Sequence, residues 1–112
     1  MSNITTHVLD TARGVPAAEV PVQLELMHDG SWTRLGAGLT DSDGRFKELL
    51  SGGPLRTGHY RITFELTGYH VRHGVQGFFP RAAIEFMVTD ATSHHHVPLL
   101  LSPFGYSTYR GS

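Results

Sequence analysis

The sequence predicts an all-β sandwich, and two observations support that prediction. Apolar residues recur at every second position in several segments, which is the side-chain period of a strand with one buried face. The chain also holds 13 Gly and 6 Pro, which fall mostly between those segments, where strands must turn. Many short strands separated by such turn residues are typical of two packed sheets.

The first half of the chain is divided into four predicted strands. Residues 20–26 place apolar side chains at every second position, as half-buried strands do, and a further strand is expected over residues 4–10. A third strand is expected over residues 31–36, after the turn His-Asp-Gly, and a short fourth one over residues 45–49. The turn chemistry that separates the strands lies at residues 13–16, 28–30, 41–44 and 52–54.

The second half continues the pattern with one interruption. Residues 60–66 and 83–88 alternate apolar and polar side chains, so both are predicted strands. Two further strands are expected over residues 95–101 and 106–109. The interruption is a short helix near residues 67–75, and the chain shows no repeat, linker or low-complexity tract.

Composition limits what kind of protein this is. The 112 residues predict a single domain over residues 1–112, because domains usually hold about 100–150 residues. The absence of cysteine excludes a disulfide scaffold and thiolate chemistry. A net charge of −1 lacks the basic footprint of a nucleic-acid binder, and no apolar run is long enough for a membrane span. We therefore expect neither nucleic acid nor membrane as a partner, and a cytoplasmic location, or a periplasmic one if a leader was removed.

The eight histidines are the strongest lead to function. Alternation on a strand places His94 and His96 on one face, about 6.7 Å apart, and His95 on the other. Two imidazoles on one face can bind a metal or share a water molecule, but a polar strand end in solvent is the simpler interpretation. The other histidines after position 7 lie in turns or next to Gly and are expected to be solvated: His28, His59, His70 and His73.

Four other features are candidates for a role in function, and each also has a simpler structural interpretation. His7 shares a strand face with Thr5, and a lone histidine there is more often a surface residue than a catalyst. Arg45 follows an Asp-Gly turn, where it could simply pair with a turn carboxylate. The Asp-Ser-Asp-Gly of residues 41–44 opens like a calcium loop but lacks the remaining ligands, which favours a turn. The aromatic, almost uncharged ending, residues 102–112, is expected to be held against the sheet or another subunit.

Several segments together resemble one known family. They are residues 7–10 (His-Val-Leu-Asp), 43–45 (Asp-Gly-Arg), 58–60 (Gly-His-Tyr), 78–80 (Phe-Phe-Pro), 96–100 (His-Val-Pro-Leu-Leu) and 109–112 (Tyr-Arg-Gly-Ser). The chain resembles the 5-hydroxyisourate hydrolases, the transthyretin-related enzymes of purine breakdown. The Tyr-Arg-Gly-Ser ending is the most specific element, because transthyretin, the hormone carrier, lacks it.

The resemblance implies a fold, an assembly and a set of site residues. It implies a transthyretin-like sandwich of two four-stranded sheets with one short helix. It also implies a homotetramer, a dimer of dimers, whose active sites lie in a central channel at the dimer–dimer interface. The catalytic residues of the family fall on His7, Arg45 and His96. The substrate-binding residues fall on the signature ending, at Tyr109, Arg110 and Ser112.

The implied reaction opens a ring amide of 5-hydroxyisourate with water, giving 2-oxo-4-hydroxy-4-carboxy-5-ureidoimidazoline. No cofactor or metal is expected, because the histidine pair can activate water while Arg45 stabilises developing negative charge. One departure is visible: the family usually reads His-Tyr-His where this chain has His95 in the middle. Two alternatives stay open, a transthyretin-like carrier of a small aromatic ligand and a metal-binding module built on residues 94–96.

Overall fold

The computed structural model describes residues 3–50 and 53–112. In this part of the chain, short strands dominate and a single helix interrupts them. In chain order the elements are β1 Ile4–Asp10, β2 Val15–Pro16, β3 Pro21–His28, β4 Ser31–Leu39, β5 Arg45–Phe46, β6 Gly58–Glu65, α1 Thr67–Arg72, β7 Arg81–Val88, β8 His95–Ser102 and β9 Gly105–Thr108.

The strands form two sheets. The first sheet has the order β2-β1-β8-β9, with β5 pairing β1 as well, and the second sheet has the order β4-β3-β6-β7. In the first sheet β1 and β8 run parallel although they lie at opposite ends of the chain, whereas the pairs of the second sheet are antiparallel. The predicted all-β sandwich with one short helix is confirmed, and the two-residue β5 makes the first sheet five-stranded rather than four-stranded.

The core lies between the sheets and is filled by the inward faces of the strands. On β1 the inward residues Ile4, Thr6 and Val8 are buried, while Thr5 and His7 between them are only partly covered. The largest fully buried side chains include aromatic and aliphatic residues of both sheets, such as Tyr60, Phe64, Leu24 and Leu99. Burial of these apolar surfaces drives the two sheets together, and it leaves the opposite face of β1 for chemistry.

Element boundaries differ from the sequence prediction in a few places. β1 has the predicted bounds, whereas β5 ends at Phe46 instead of continuing to residue 49. β2 was not predicted: it forms because the turn through Gly14, with φ +70°, folds Val15–Pro16 back onto the end of β1. The helix ends at Arg72 rather than residue 75, close to Gly74, whose φ of +69° is typical of a helix stop.

The prediction that His70 is solvated was wrong. His70 is only 6% exposed, because α1 packs one side against the rest of the sandwich and buries Tyr69 and His70 together. Gly77 lies so close to the imidazole that a Cβ there would fall 2.2 Å from its Cδ2 atom.

No helix within the described residues is long and apolar enough to cross a membrane.

Candidate active site

Three strands of the first sheet bring His7, Arg45 and His96 to one outer face. His7 of β1 is the antiparallel partner of Arg45 on β5, and such partners place their side chains on the same face, with Cβ atoms about 5 Å apart. On the other side of β1, His96 of β8 is in register with Thr5. From the strand spacing and the two-residue offset, the backbones at His96 and His7 lie about 8 Å apart.

The Asp-Gly-Arg turn sets the position of Arg45. Gly44 has φ +75°, and a Cβ there would fall 2.4 Å from the carbonyl oxygen of Val8. Glycine is therefore required for the turn to dock on β1, where the Val8 N–H donates to the Gly44 carbonyl at 2.7 Å. Asp41 stabilises the turn through its Oδ1, which accepts from the backbone N–H of Arg45 at 3.0 Å. Asp41 thus binds the Arg45 backbone, and the exposed guanidinium forms no ion pair with any residue of 3–50 or 53–112.

The His96 ring is held from two sides. Its Nδ1 lies 2.8 Å from the Thr5 hydroxyl oxygen. On the far side of β8 the terminal segment returns, and the Gly111 N–H donates to the His96 carbonyl at 2.8 Å. A Cβ at Gly111 would fall 2.5 Å from His96 Cδ2, so only glycine allows the terminal segment to lie this close to the ring.

The surroundings of His96 favour the neutral imidazole. Burial is the largest cause that lowers the pKa of His96, followed by the nearby charges of Arg45, His7 and His94. A hydrogen bond with the Thr5 backbone opposes the shift of the pKa without reversing it. A histidine with a lowered pKa is largely unprotonated at neutral pH, so His96 can accept a proton there.

The signature ending lies beside the same strand. Tyr109 and Arg110 line a cavity of about 200 Å³ together with His95 and His96 of β8 and residues 84–87 of β7. Gly111 contacts the His96 ring directly, as described above, and Ser112 follows it at the exposed end of the chain. The ending therefore reaches the His96 ring through Gly111, while Arg110 lies close enough to His95 for its charge to act on that ring.

His95 faces away from the site, as strand alternation predicts. It is 4% exposed, and its Nδ1 lies 3.0 Å from the Ser93 carbonyl. Burial lowers the pKa of His95, and the charge of Arg110 lowers it further. His95 thus occupies a core position as an uncharged ring, and the outer face keeps His94 and His96 together.

Two contributors were missed by sequence reasoning. Thr5 was noticed only as a neighbour of His7, because its partner His96 lies 91 positions away and the register of β1 with β8 cannot be read locally. Gly111 was part of the recognised ending, and its contact with the His96 ring depends on the path of the terminal segment. Within residues 3–50 and 53–112 there is no cluster of three or more His, Cys, Asp or Glu side chains suited to a metal ion.

Comparison with known proteins places this geometry in a family. The profile of the HIUase/Transthyretin family matches residues 4–111. A 5-hydroxyisourate hydrolase of Salmonella typhi is 46% identical over 112 residues, covering 99% of this chain and 82% of the relative. The mouse protein of the same name is 40% identical, with 99% of this chain and 96% of the relative covered.

Solved structures give the same result for the fold. The 5-hydroxyisourate hydrolase of Klebsiella pneumoniae superposes with a TM-score of 0.85 at 38% identity and covers 100% of both chains. Sea bream transthyretin in complex with thyroxine superposes with a TM-score of 0.88 at 30% identity, covering 98% of this chain and 95% of that one. The resemblance inferred from the sequence is confirmed, and the chain belongs to the HIUase/Transthyretin family.

Proposed function

We propose that this protein hydrolyses 5-hydroxyisourate to 2-oxo-4-hydroxy-4-carboxy-5-ureidoimidazoline without a metal or cofactor. The observation that supports the proposal is the convergence of His7, Arg45 and His96 on one outer face from three separate strands. The reaction needs a base for water, a stabiliser for the tetrahedral oxyanion and a proton for the leaving nitrogen. Relatives of comparable length that carry the hydrolase name support the same activity.

His96 is the proposed general base. Its lowered pKa keeps the ring neutral at pH 7, and its Nδ1 is already engaged by Thr5, so Nε2 is the nitrogen left for water. His7 flanks the water from the neighbouring strand. The proton taken from water is returned by this pair to the ring nitrogen that leaves, which restores both imidazoles for the next turnover.

Arg45 is the proposed electrostatic partner of the substrate. Because its guanidinium forms no ion pair among the described residues, its charge is available to the polar edge of the substrate or to the developing oxyanion. One such donor is typically worth about 10²–10³ in rate. Asp41 contributes indirectly, since it fixes the backbone from which Arg45 extends.

The C-terminal signature supplies the proposed substrate-binding residues. Ser112 would orient the substrate or a histidine, while Tyr109 and Arg110 would form the wall of the site. These residues and the partly covered face of β1 are largely open in one chain. We therefore assign the closed site to a homotetramer, a dimer of dimers, in which a second copy covers this face.

The fold does not distinguish a hydrolase from a carrier, because sea bream transthyretin superposes as well as the Klebsiella enzyme does. The two imidazoles and the Arg45 guanidinium, which has no ion-pair partner in the described part of the chain, make the difference. A channel that only holds a ligand has no need of a neutral base beside such a cation.

The test follows the ultraviolet absorbance of 5-hydroxyisourate, formed in place from urate with excess urate oxidase. The wild-type protein should accelerate its decay well beyond the spontaneous rate measured without protein. His96→Ala and His7→Ala should each lower kcat about 100-fold or more. His28→Ala is the matched control, because this exposed histidine pairs with Asp29 in the turn after β3.

The outcomes separate the two functions. Acceleration that survives in His28→Ala and is lost in His96→Ala supports the hydrolase. No acceleration by a folded tetramer would overturn the hydrolase and favour a ligand carrier. Full kcat in both site variants would refute the assigned roles of the histidine pair.

A further inference from the structure

The Thr5 hydroxyl lies between two imidazoles. Its oxygen is 2.9 Å from His94 Nε2 and 2.8 Å from His96 Nδ1. Both distances are those of ordinary hydrogen bonds. Thr5 reaches both rings because β1 and β8 run parallel with Thr5 in register with His96, and His94 lies two residues earlier.

Counting hydrogens restricts how this chain of groups can be arranged. A hydroxyl has one hydrogen to donate, and each neutral imidazole has one N–H and one bare nitrogen. If both rings donated to Thr5, its hydroxyl hydrogen would have no acceptor among the described residues. The arrangement in which one ring donates to Thr5 and the other accepts from it satisfies all three groups within the structure.

We propose that Thr5 and His94 are positioning residues that hold neutral His96 with its hydrogen on Nδ1 and its Nε2 bare. In this arrangement His96 Nδ1–H donates to Thr5, and the Thr5 hydroxyl donates to His94 Nε2. The inference rests on the proposed function, in which His96 takes a proton from water through Nε2. A histidine held in the wrong tautomer presents N–H to the water and cannot act as its base.

The packing around His96 strengthens this assignment. Gly111 lies against the Cδ2 side of the ring, so the imidazole is held between the terminal segment and Thr5. The remaining charged or titratable groups that act on it are Arg45 of β5, His7 of β1 and His94. None of these is a carboxylate that could fix the tautomer. The Thr5 hydroxyl lies at Nδ1, and the Thr5 backbone also acts on the ring as a hydrogen-bond partner, so both groups of Thr5 favour a hydrogen on Nδ1.

The central experiment compares Thr5→Val, which keeps the shape of the side chain but removes the hydroxyl, with Thr5→Ser, which keeps the hydroxyl. Thr5→Val should lower kcat about 10–100-fold with little change in KM, because partners that orient a functional histidine commonly have effects of this size. Thr5→Ser should stay close to wild type. Thr33→Val is the control, since Thr33 is exposed on β4 of the second sheet.

A second readout does not depend on activity. Nitrogen-15 NMR of the imidazoles reports which ring nitrogen carries the hydrogen, and the His96→Ala spectrum assigns the His96 signals. At pH 7.5 wild-type His96 should show the Nδ1–H tautomer, whereas Thr5→Val should shift toward Nε2–H. His94→Ala tests the other end of the chain of groups and, being an exposed position, also serves if Thr5→Val fails to fold. It should lower kcat about 10-fold.

The outcomes can be told apart from those of the proposed function. Loss of kcat in Thr5→Val with rescue by Thr5→Ser, together with the tautomer shift, supports the inference. An active wild type in which Thr5→Val and His94→Ala keep full kcat would overturn it, as would a wild-type His96 with its hydrogen on Nε2. A wild-type protein without hydrolase activity would refute the proposed function, and the NMR spectrum would still decide the tautomer.

Discussion

The outer faces of the two sheets both carry arginine side chains, and the faces differ in whether those side chains form ion pairs. On the second sheet, two arginines are paired with glutamates of neighbouring strands. Arg61 of β6 lies 2.7 Å from Glu25 of β3, its register partner, and Arg81 of β7 lies 3.0 Å from Glu65 of β6, also its register partner. Opposite charges at such positions stabilise strand pairing, so these two ion pairs contribute to the stability of the sheet.

On the outer face of the first sheet, the guanidinium of Arg45 forms no ion pair with any other described residue. Arg45 is the register partner of His7, and its charge helps to lower the pKa of both His96 and Asp41. The histidines are joined through the Thr5 hydroxyl instead of through ion pairs. The comparison teaches that cross-strand ion pairs occupy arginines of the second sheet, whereas Arg45 of the first sheet keeps its charge for a ligand.

The comparison is tested most strongly by matching Arg45→Gln with Arg61→Gln. Arg45→Gln should lower kcat about 10²–10³-fold, because it removes the proposed stabiliser of the oxyanion. Arg61→Gln should leave kcat close to wild type, since its guanidinium is held by Glu25 and lies over the Trp32 ring at 4.3 Å. The decay of 5-hydroxyisourate gives both values, and equal losses in the two variants would contradict the assigned contrast.

The second prediction concerns two glycines near the end of the chain. Gly111→Ala should lower kcat about 10-fold. The new methyl would fall 2.5 Å from His96 Cδ2 and would force the imidazole away from its hydrogen-bonded position at Thr5. Gly105→Ala is the control, since the nearest atom to its Cβ would be Ser102 Oγ at 3.7 Å. Circular dichroism should show both variants folded. Unchanged kcat in Gly111→Ala would show that the terminal segment does not fix the ring.

Local patterns in the sequence predicted most of the strands and the face on which each site residue lies. Alternation along β1 was enough to separate His7 from the core, and alternation along residues 94–96 was enough to turn His95 inward. Both features depend only on the two-residue period of a strand. The family resemblance then identified which outward residues belong together.

Contacts between distant strands were beyond the sequence. The pairing of Thr5 with His96 depends on β1 and β8 being parallel neighbours in one particular register, and a slip of one residue would face Thr5 away from both imidazoles. The burial of His70 likewise depends on how α1 packs. No local pattern in the sequence indicates that Gly77 lies against the His70 ring. The missing information was tertiary in each case.

A third prediction measures what pairing contributes on the second sheet. Glu25→Gln should lower the free energy of unfolding by about 1–3 kcal/mol, because a partly buried hydrogen bond between charged groups is lost. Glu65→Gln should have a smaller effect, since its pair with Arg81 is more exposed to water. Urea unfolding at equal protein concentration compares them, and kcat should stay unchanged in both. A larger loss for Glu65→Gln would contradict the view that burial sets the strength of these pairs.

The smallest expected effect is on the pH dependence of the Tm, and it comes from His95 on the buried side of β8. Burial, with the charge of Arg110, lowers the pKa of His95 in the folded protein. Below the ordinary histidine pKa of about 6.5 the unfolded chain then binds the proton more readily, so this residue makes stability fall as pH falls.

His95→Tyr removes that proton-binding group and places the ring beside the cavity of about 200 Å³ that His95 lines. The Tm should therefore decrease less between pH 7.5 and pH 5.5 in the variant than in the wild type, although His96, whose pKa is also lowered, keeps part of the slope. His28→Tyr, at an exposed turn position, is the control and should follow the wild-type curve. If the Tm of His95→Tyr and of the wild type fell equally with pH, His95 would bind a proton as readily in the folded protein as in the unfolded chain. The buried side of β8 would then accept a charge as readily as its outer face.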